Sequence, residues 1–162
     1  MMQPMTEETA LLKLADYCAR GEHCASELLT KLAAWHVPEE ARMRIMRELQ
    51  ERRYFDDERY ARAFVKDKVN YTKWGRRKVE QALWQKHISE DIRQRVLDEV
   101  DTDDYVRVLR PLLQQKRRTT KARSDYELQQ KLVRFALSRG YTMDVIRQCM
   151  EVDDAIEAED EM

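Results

Sequence analysis

Residues 51–88 read ERRYFDDERYARAFVKDKVNYTKWGRRKVEQALWQKHI, and their spacing decides the fold class. Tyr60, Ala61, Phe64 and Val65 recur at i, i+1, i+4 and i+5, one stripe of an α-helix, with Asp56 placed to cap its first turn. Val79, Leu83 and Ile88 continue the apolar positions on a second helix, at whose entry Lys73, Arg76, Arg77 and Lys78 cluster. Both stripes are expected to be buried. No residue pattern in this stretch points to catalytic chemistry.

Working outward, the end of this stretch recurs. Residues 32–41 read LAAWHVPEEA, 83–92 LWQKHISEDI and 136–145 ALSRGYTMDV, so His36, His87 and Gly140 occupy one position. Gly in the left-handed region is the usual residue after a helix, and His is among the non-glycine residues enriched there. Val37, Ile88 and Tyr141 follow as the apolar residue that packs back on the helix just ended. A new helix starts at once: Pro38 suits a first turn, Ser89 and Thr142 are N-cap types, and Glu39, Glu40, Glu90, Asp91 and Asp144 complement the positive end of the macrodipole. His36 and His87 are therefore read as structural. A catalytic or metal-binding role for them has no neighbouring Asp, Cys or Ser constellation in its support.

A shift of 51 carries Leu28 onto Val79, Leu32 onto Leu83, Ala41 onto Ile92, Ile45 onto Val96 and Leu49 onto Val100. A shift near 50 relates the preceding helices: Ala10, Leu11, Leu14 and Ala15 to Tyr60, Ala61, Phe64 and Val65, then to Val108, Leu109, Leu112 and Leu113, with Thr6, Asp56 and Asp104 as caps. Each repeat is helix, short loop, helix, tight turn, helix. The expected fold is all-α: three tandem three-helix repeats, at residues 6–53, 54–101 and 102–152, stacked into an elongated, curved body, with an acidic tail at 153–162. Pro111 should kink the third repeat's first helix or delay its start. That repeat has a longer first loop, which holds KRRTTKAR at 116–123, the densest basic run in the chain.

Composition agrees. Three Gly and three Pro among 162 residues leave few helix breakers, and 38% of residues are charged. The net charge of −1 conceals an asymmetry: residues 1–150 carry 30 basic and 24 acidic side chains, net +6, and the remaining seven acids fall in EVDDAIEAEDEM at 151–162. Such a body suits an anionic partner, and the tail is read either as an intramolecular mimic of it or as a solvated end. No stretch approaches the roughly 20 apolar residues of a membrane span, and the N-terminus lacks a basic region followed by an apolar run, so a cytoplasmic protein without membrane contact is expected. Cys18, Cys24 and Cys149 lack paired spacing, so neither a disulfide framework nor a metal site is expected, and no cofactor.

YFDDERYARAFV at 54–65 and WGRRKVEQALWQKHI at 74–88 resemble the RecX family, bacterial regulators of the RecA recombinase. The likeness is carried by Asp56, Asp57, Tyr60, Ala61, Gly75, Arg76, Leu83 and Ile88, by RGY at 139–141, and by Arg20, Gly21, Ser26, Glu27, Leu28 and Lys31. His87, where the family commonly has glycine, and the acidic tail depart from it. The resemblance implies three three-helix repeats, no enzymatic activity, and binding in the groove of the RecA–DNA filament, with inhibition of filament growth, ATP hydrolysis and strand exchange. A monomer acting in DNA repair, recombination and the SOS response is the implied form.

Contact residues are argued from charge instead. Lys73, Arg76, Arg77 and Lys78 at the entry of the second repeat's middle helix, and Lys116, Arg117, Arg118, Lys121 and Arg123 in the corresponding loop of the third repeat, are the expected partner-binding clusters, at one place in the repeat. The rival reading is a direct nucleic-acid binder, since each repeat's last two helices resemble a helix-turn-helix. Third-helix faces are mixed, with Arg42, Arg44, Arg47 and Glu48 in one repeat and Arg93, Arg95, Asp98 and Glu99 in the next, which is acidic for a DNA-reading helix. Acid pairs such as Asp56–Asp57 and Asp103–Asp104 open helices, where capping explains them better than metal binding. Trp35, Trp74 and Trp84 are read as partial core residues rather than base-stacking rings.

Overall fold

The first helix begins where Thr6 accepts a hydrogen bond from Thr9 N–H, and the chain then alternates capped helices with tight turns. In this computed structural model, which describes residues 5–150, the helices are α1 (Glu7–Arg20), α2 (Ala25–Ala34), α3 (Glu39–Glu51), α4 (Asp57–Asp67), α5 (Arg76–Gln85), α6 (Glu90–Asp98), α7 (Thr102–Thr119), α8 (Asp125–Ser138) and α9 (143–150). No strand occurs among the described residues, and no helix among them is long and apolar enough to cross a membrane. The acidic tail lies outside the described residues.

The three tight turns are equivalent. His36, His87 and Gly140 have φ of 58°, 60° and 91°. The residue after each donates back to the fifth residue before it: Val37 to Leu32 O at 3.1 Å, Ile88 to Leu83 O at 3.1 Å and Tyr141 to Ala136 O at 3.2 Å. All three apolar residues are at most 1% exposed. Arg53, with φ 60°, closes α3 by the same device, Tyr54 N–H donating to Leu49 O at 2.9 Å.

A single shift of 51 also relates the first helices. Glu7 pairs with Arg44 at 2.9 Å between α1 and α3, and the residues 51 positions on, Glu58 and Arg95, pair between α4 and α6. Buried Ala10 and Leu14 then match buried Ala61 and Val65. Phe64, expected in the core, is half-buried and stacks on Tyr60 at 5.8 Å between centroids. In the third repeat the cap is Asp101 rather than Asp104, whose carboxylate instead accepts from Asp101 N–H at 3.2 Å, so the buried stripe becomes Tyr105, Val106, Leu109 and Leu113. Val108 and Leu112 are only half-buried. Pro111 neither delays nor ends α7: it and Arg107, whose carbonyl it deprives of a partner, both lie on the exposed side.

The chain divides into two compact bodies, Met1–Phe64 with Leu83–Val96 and Val65–Ala82 with Leu97–Met162. Each holds one outer repeat and part of the middle one. In the first body, Ala10, Leu14, Leu28, Leu32, Val37, Ala41, Ile45, Leu49 and Phe55 form one core. Middle-repeat residues close it: Asp57 accepts from Ala25 N–H at 2.8 Å, and Ser26 Oγ donates to Lys86 O at 2.6 Å. The Asp56–Asp57 pair therefore caps two different helices, since Asp56 accepts from Arg59 N–H at 3.0 Å on its own helix. Burial raises the Asp57 carboxyl above its ordinary value, against the opposing Ala25 hydrogen bond. Burial also opposes the charge on Glu27, yet Cys24 N–H and the Lys86 ammonium hold its carboxyl below the ordinary value.

In the second body the corresponding closure is backbone to backbone. Gly75 N–H donates to Arg139 O at 2.8 Å and Arg77 N–H to Gly140 O at 3.0 Å. The contact requires both glycines: a Cβ on Gly75 would stand 2.3 Å from Tyr141 N, and one on Gly140 2.4 Å from Lys78 Cβ. Tyr141 OH, donating to Lys73 O at 2.9 Å, secures the same junction. In the first body, Cys24 stands where Gly75 does, and the Ser26 hydroxyl supplies the link instead.

Candidate functional site

The Gly75–Gly140 junction positions the basic residues. α4 does not stop at Asp67 but widens into a π-helical turn, Lys68–Thr72, ended by Lys73 in the left-handed conformation at φ 63°. The Lys68 carbonyl accepts from both Lys73 N–H and Trp74 N–H, the latter at 2.9 Å. π-Turns of this kind are rare and recur at functional sites. This one leaves Tyr71 82% exposed and turns the chain so that Trp74 is flanked by the ammonium groups of Lys68 at 5.1 Å and Lys78 at 4.8 Å. Each cation–π contact contributes on the order of 0.5–1 kcal/mol at such exposure.

A second ring extends the surface. Phe135 on α8 has the Lys116 ammonium 4.9 Å and the Arg139 guanidinium 5.2 Å from its centroid, and Arg139 is the residue whose carbonyl receives Gly75 N–H. Lys68, Lys73, Arg77, Lys78, Arg139 and Lys116 are thus linked through two aromatic rings and one turn. Asp67 approaches Lys68 at 3.7 Å, with 58% of its side chain exposed.

The sequence-expected cations fall in three settings. Lys73, Arg77 and Lys78 lie on this surface, with Lys73 and Arg77 exposed. Arg76 turns the other way, to Asp98 at 2.7 Å, and lines a cavity of about 70 Å3 with Tyr105 and Tyr141. Lys116, Arg117 and Arg118, expected in a loop, form the last turn of α7, and only Lys121 and Arg123 stand in the loop before α8. Those two are partly engaged through their backbones, Lys121 O accepting from Lys131 Nζ at 2.7 Å and Arg123 N–H donating to Glu127 at 3.1 Å. Lys68, Arg139 and Phe135 were not anticipated. The signals for Arg139 were its place beside Gly140 in the repeated turn and in the RGY stretch at 139–141.

The third helices are less available. Arg42 donates to Val37 O and Arg93 to Ile88 O, both at 2.6 Å, while Arg44 and Arg95 are held by Glu7 and Glu58. These arginines close their own repeats. Among the described residues no three His, Cys, Asp or Glu side chains come together as a metal site, and the three cysteines are free thiols.

Residues 56–97 match the family model for the RecX second three-helix domain, and residues 103–150 that for the RecX third three-helix domain. Regulatory protein RecX of Vibrio campbellii is 31% identical over 136 residues, covering 84% of this chain and 86% of that one. The chain belongs to the RecX family. Regulatory protein RecX of Clostridium perfringens (strain 13 / Type A) is 37% identical over 120 residues, 73% of this chain but 56% of that one, so the chain spans little more than half of that relative. Two solved RecX structures share the fold at a TM-score of 0.83: one, a regulatory protein RecX, is 21% identical, covering 90% of this chain and 73% of that one, and the other, RecX from Lactobacillus salivarius, is 19% identical, covering 92% and 97%. Lys73, Arg77 and Lys78 fall within the segment matching the second RecX domain, and Lys116, Phe135 and Arg139 within that matching the third.

Proposed function

We propose that this RecX-family chain is a non-catalytic regulator that docks on the RecA recombinase assembled on DNA. It restrains filament extension, ATP hydrolysis and strand exchange, and so modulates DNA repair and recombination. The reading has it acting in the cytoplasm as a monomer, through repeats bounded near residues 53 and 101. The observation that carries it is the linked cationic surface of Lys73, Arg77, Lys78, Arg139 and Lys116 around Trp74 and Phe135. A predominantly cationic surface suits a nucleoprotein filament, whose phosphates and acidic side chains attract it over the first several ångströms of approach. The related names, regulatory protein RecX, support the regulatory part.

Reading DNA through the third helices is the less favoured alternative, because Arg42, Arg44, Arg93 and Arg95 are engaged within their own repeats. A pull-down with RecA, run with and without single-stranded DNA and nucleotide, separates the two. Retention that needs RecA, DNA and nucleotide together supports filament docking, and retention by DNA alone at equal strength refutes it.

A further inference from the structure

The first body holds a feature that filament docking does not use. Between α1 and α2 runs an open cleft of about 300 Å3, lined by Lys13, Asp16, Tyr17, Arg20, Lys31 and Trp35. Two half-buried rings form its floor. The Lys31 ammonium stands between them, 4.4 Å from the Tyr17 centroid and 6.0 Å from that of Trp35, and Lys13 lies 5.8 Å from Trp35. Tyr17 is held in place by His23, stacked on it at 3.6 Å and 14°. Asp16, the one carboxylate among the lining residues, is paired with Arg20 at 2.9 Å, and Glu27, whose charge also acts on Tyr17, is paired with Lys86 at 3.4 Å, so the three lining cations outnumber the lining acid.

What such a cleft can recognise follows from what its walls lack. The backbone N–H groups of the lining helical residues are bonded within the helices, only the last-turn carbonyls of α1 lacking a helical partner, and at the cleft's end Trp35 N–H donates to Lys31 O at 2.9 Å while Trp35 O accepts from Met5 N–H at 3.5 Å. No edge of free N–H and C=O groups is offered, so an extended peptide finds nothing to pair with. The cleft offers aromatic faces and charged heads that can swing off them. That combination fits a planar base carrying a phosphate: the base stacks on Trp35, and Lys13, Lys31 and Arg20 take the phosphate oxygens.

We propose that this cleft between α1 and α2 binds a nucleoside phosphate, either a free mononucleotide or one nucleotide of a single strand. The proposal does not depend on filament docking, which was placed on the other body, and its test contains no recombinase. Trp74→Phe and Trp84→Phe together leave Trp35 as the only tryptophan. Trp35 emission is then titrated with AMP, with a short oligothymidylate and with inorganic phosphate.

Saturable quenching by AMP is expected, with inorganic phosphate competing weakly. Quenching by the oligonucleotide but not by AMP supports the site with a strand as its source. Lys13→Glu and Lys31→Glu together should weaken binding roughly tenfold or more while circular dichroism stays unchanged. Trp35→Ala, read by anisotropy of a labelled oligonucleotide or nucleotide, should weaken it roughly ten- to hundredfold, and Trp35→Phe should largely restore it. Absence of quenching by either nucleotide probe at millimolar concentration, or quenching unchanged by the double lysine reversal, overturns the proposal.

Discussion

Gly140→Val is the sharpest test of the repeat geometry. Gly140 has φ 91°, a region that costs a β-branched residue roughly 1–2 kcal/mol. A Cβ there would also stand 2.4 Å from Lys78 Cβ and 2.5 Å from Lys78 N, so the turn must withdraw from α5. Withdrawal loosens two backbone hydrogen bonds, Gly75 N–H to Arg139 O and Arg77 N–H to Gly140 O, each contributing about 1 kcal/mol. The sum is about 3–4 kcal/mol, or roughly 6–16 °C in Tm for a chain of this size. His87→Gly is the matched control: His87 already sits at φ 60°, so glycine relieves strain while adding freedom to the unfolded chain, and the net change should stay within about 1 kcal/mol. Thermal melts of both variants decide it. If Gly140→Val melts within about 2 °C of the parent, or His87→Gly is the worse of the two, the equivalence of the turns is wrong.

Leu83→Ala should cost about 2–5 kcal/mol because Leu83 is fully buried, whereas Phe64→Ala, at a half-buried site, should cost clearly less than the full loss of a buried Phe; chemical denaturation ranks them, and the reverse order refutes the core assignment. Asp57→Ala should cost about 1–3 kcal/mol by leaving the half-buried Ala25 N–H without its carboxylate, and a loss below about 0.3 kcal/mol contradicts that cap. Burial pushes the phenols of Tyr105 and Tyr141 up to about 12 from 10.0, so the stability linked to their protonated forms is complete below pH 10 and lost as pH rises through about 12. Tyr105→Phe with Tyr141→Phe should flatten the alkaline limb of the Tm–pH curve, and an unchanged limb refutes the linkage.

Much of this fold is written in short-range chemistry. His36, His87 and Gly140 disclosed the repeat because a left-handed turn followed by an apolar residue is a local requirement, and the structure places all three at positive φ. Arg53 escaped because arginine carries no preference for that conformation. What a cap binds was legible only in part: Asp56 serves its own helix, but Asp57 reaches Ala25, more than thirty residues earlier, a pairing that spacing cannot reveal. The first helix of the third repeat was misregistered because Asp101 and Asp104 are equally good caps by type, and the buried pair Tyr105–Val106 decides between them. The cationic surface was half legible. Charge runs exposed Lys73, Arg77, Lys78 and Lys116, whereas Lys68, Phe135 and Arg139 join them only through the π-turn and the glycine contact.

The central claim is that this surface meets the recombinase filament, and affinity of a charge-reversed protein at two salt concentrations tests it most directly. Lys73→Glu, Arg77→Glu and Lys116→Glu change exposed side chains, so melting should stay within a few degrees of the parent. Binding to RecA on single-stranded DNA should weaken at least tenfold at low salt, with a shallower salt dependence because fewer ionic contacts remain. A folded triple variant with parental affinity and parental salt dependence would contradict the claim.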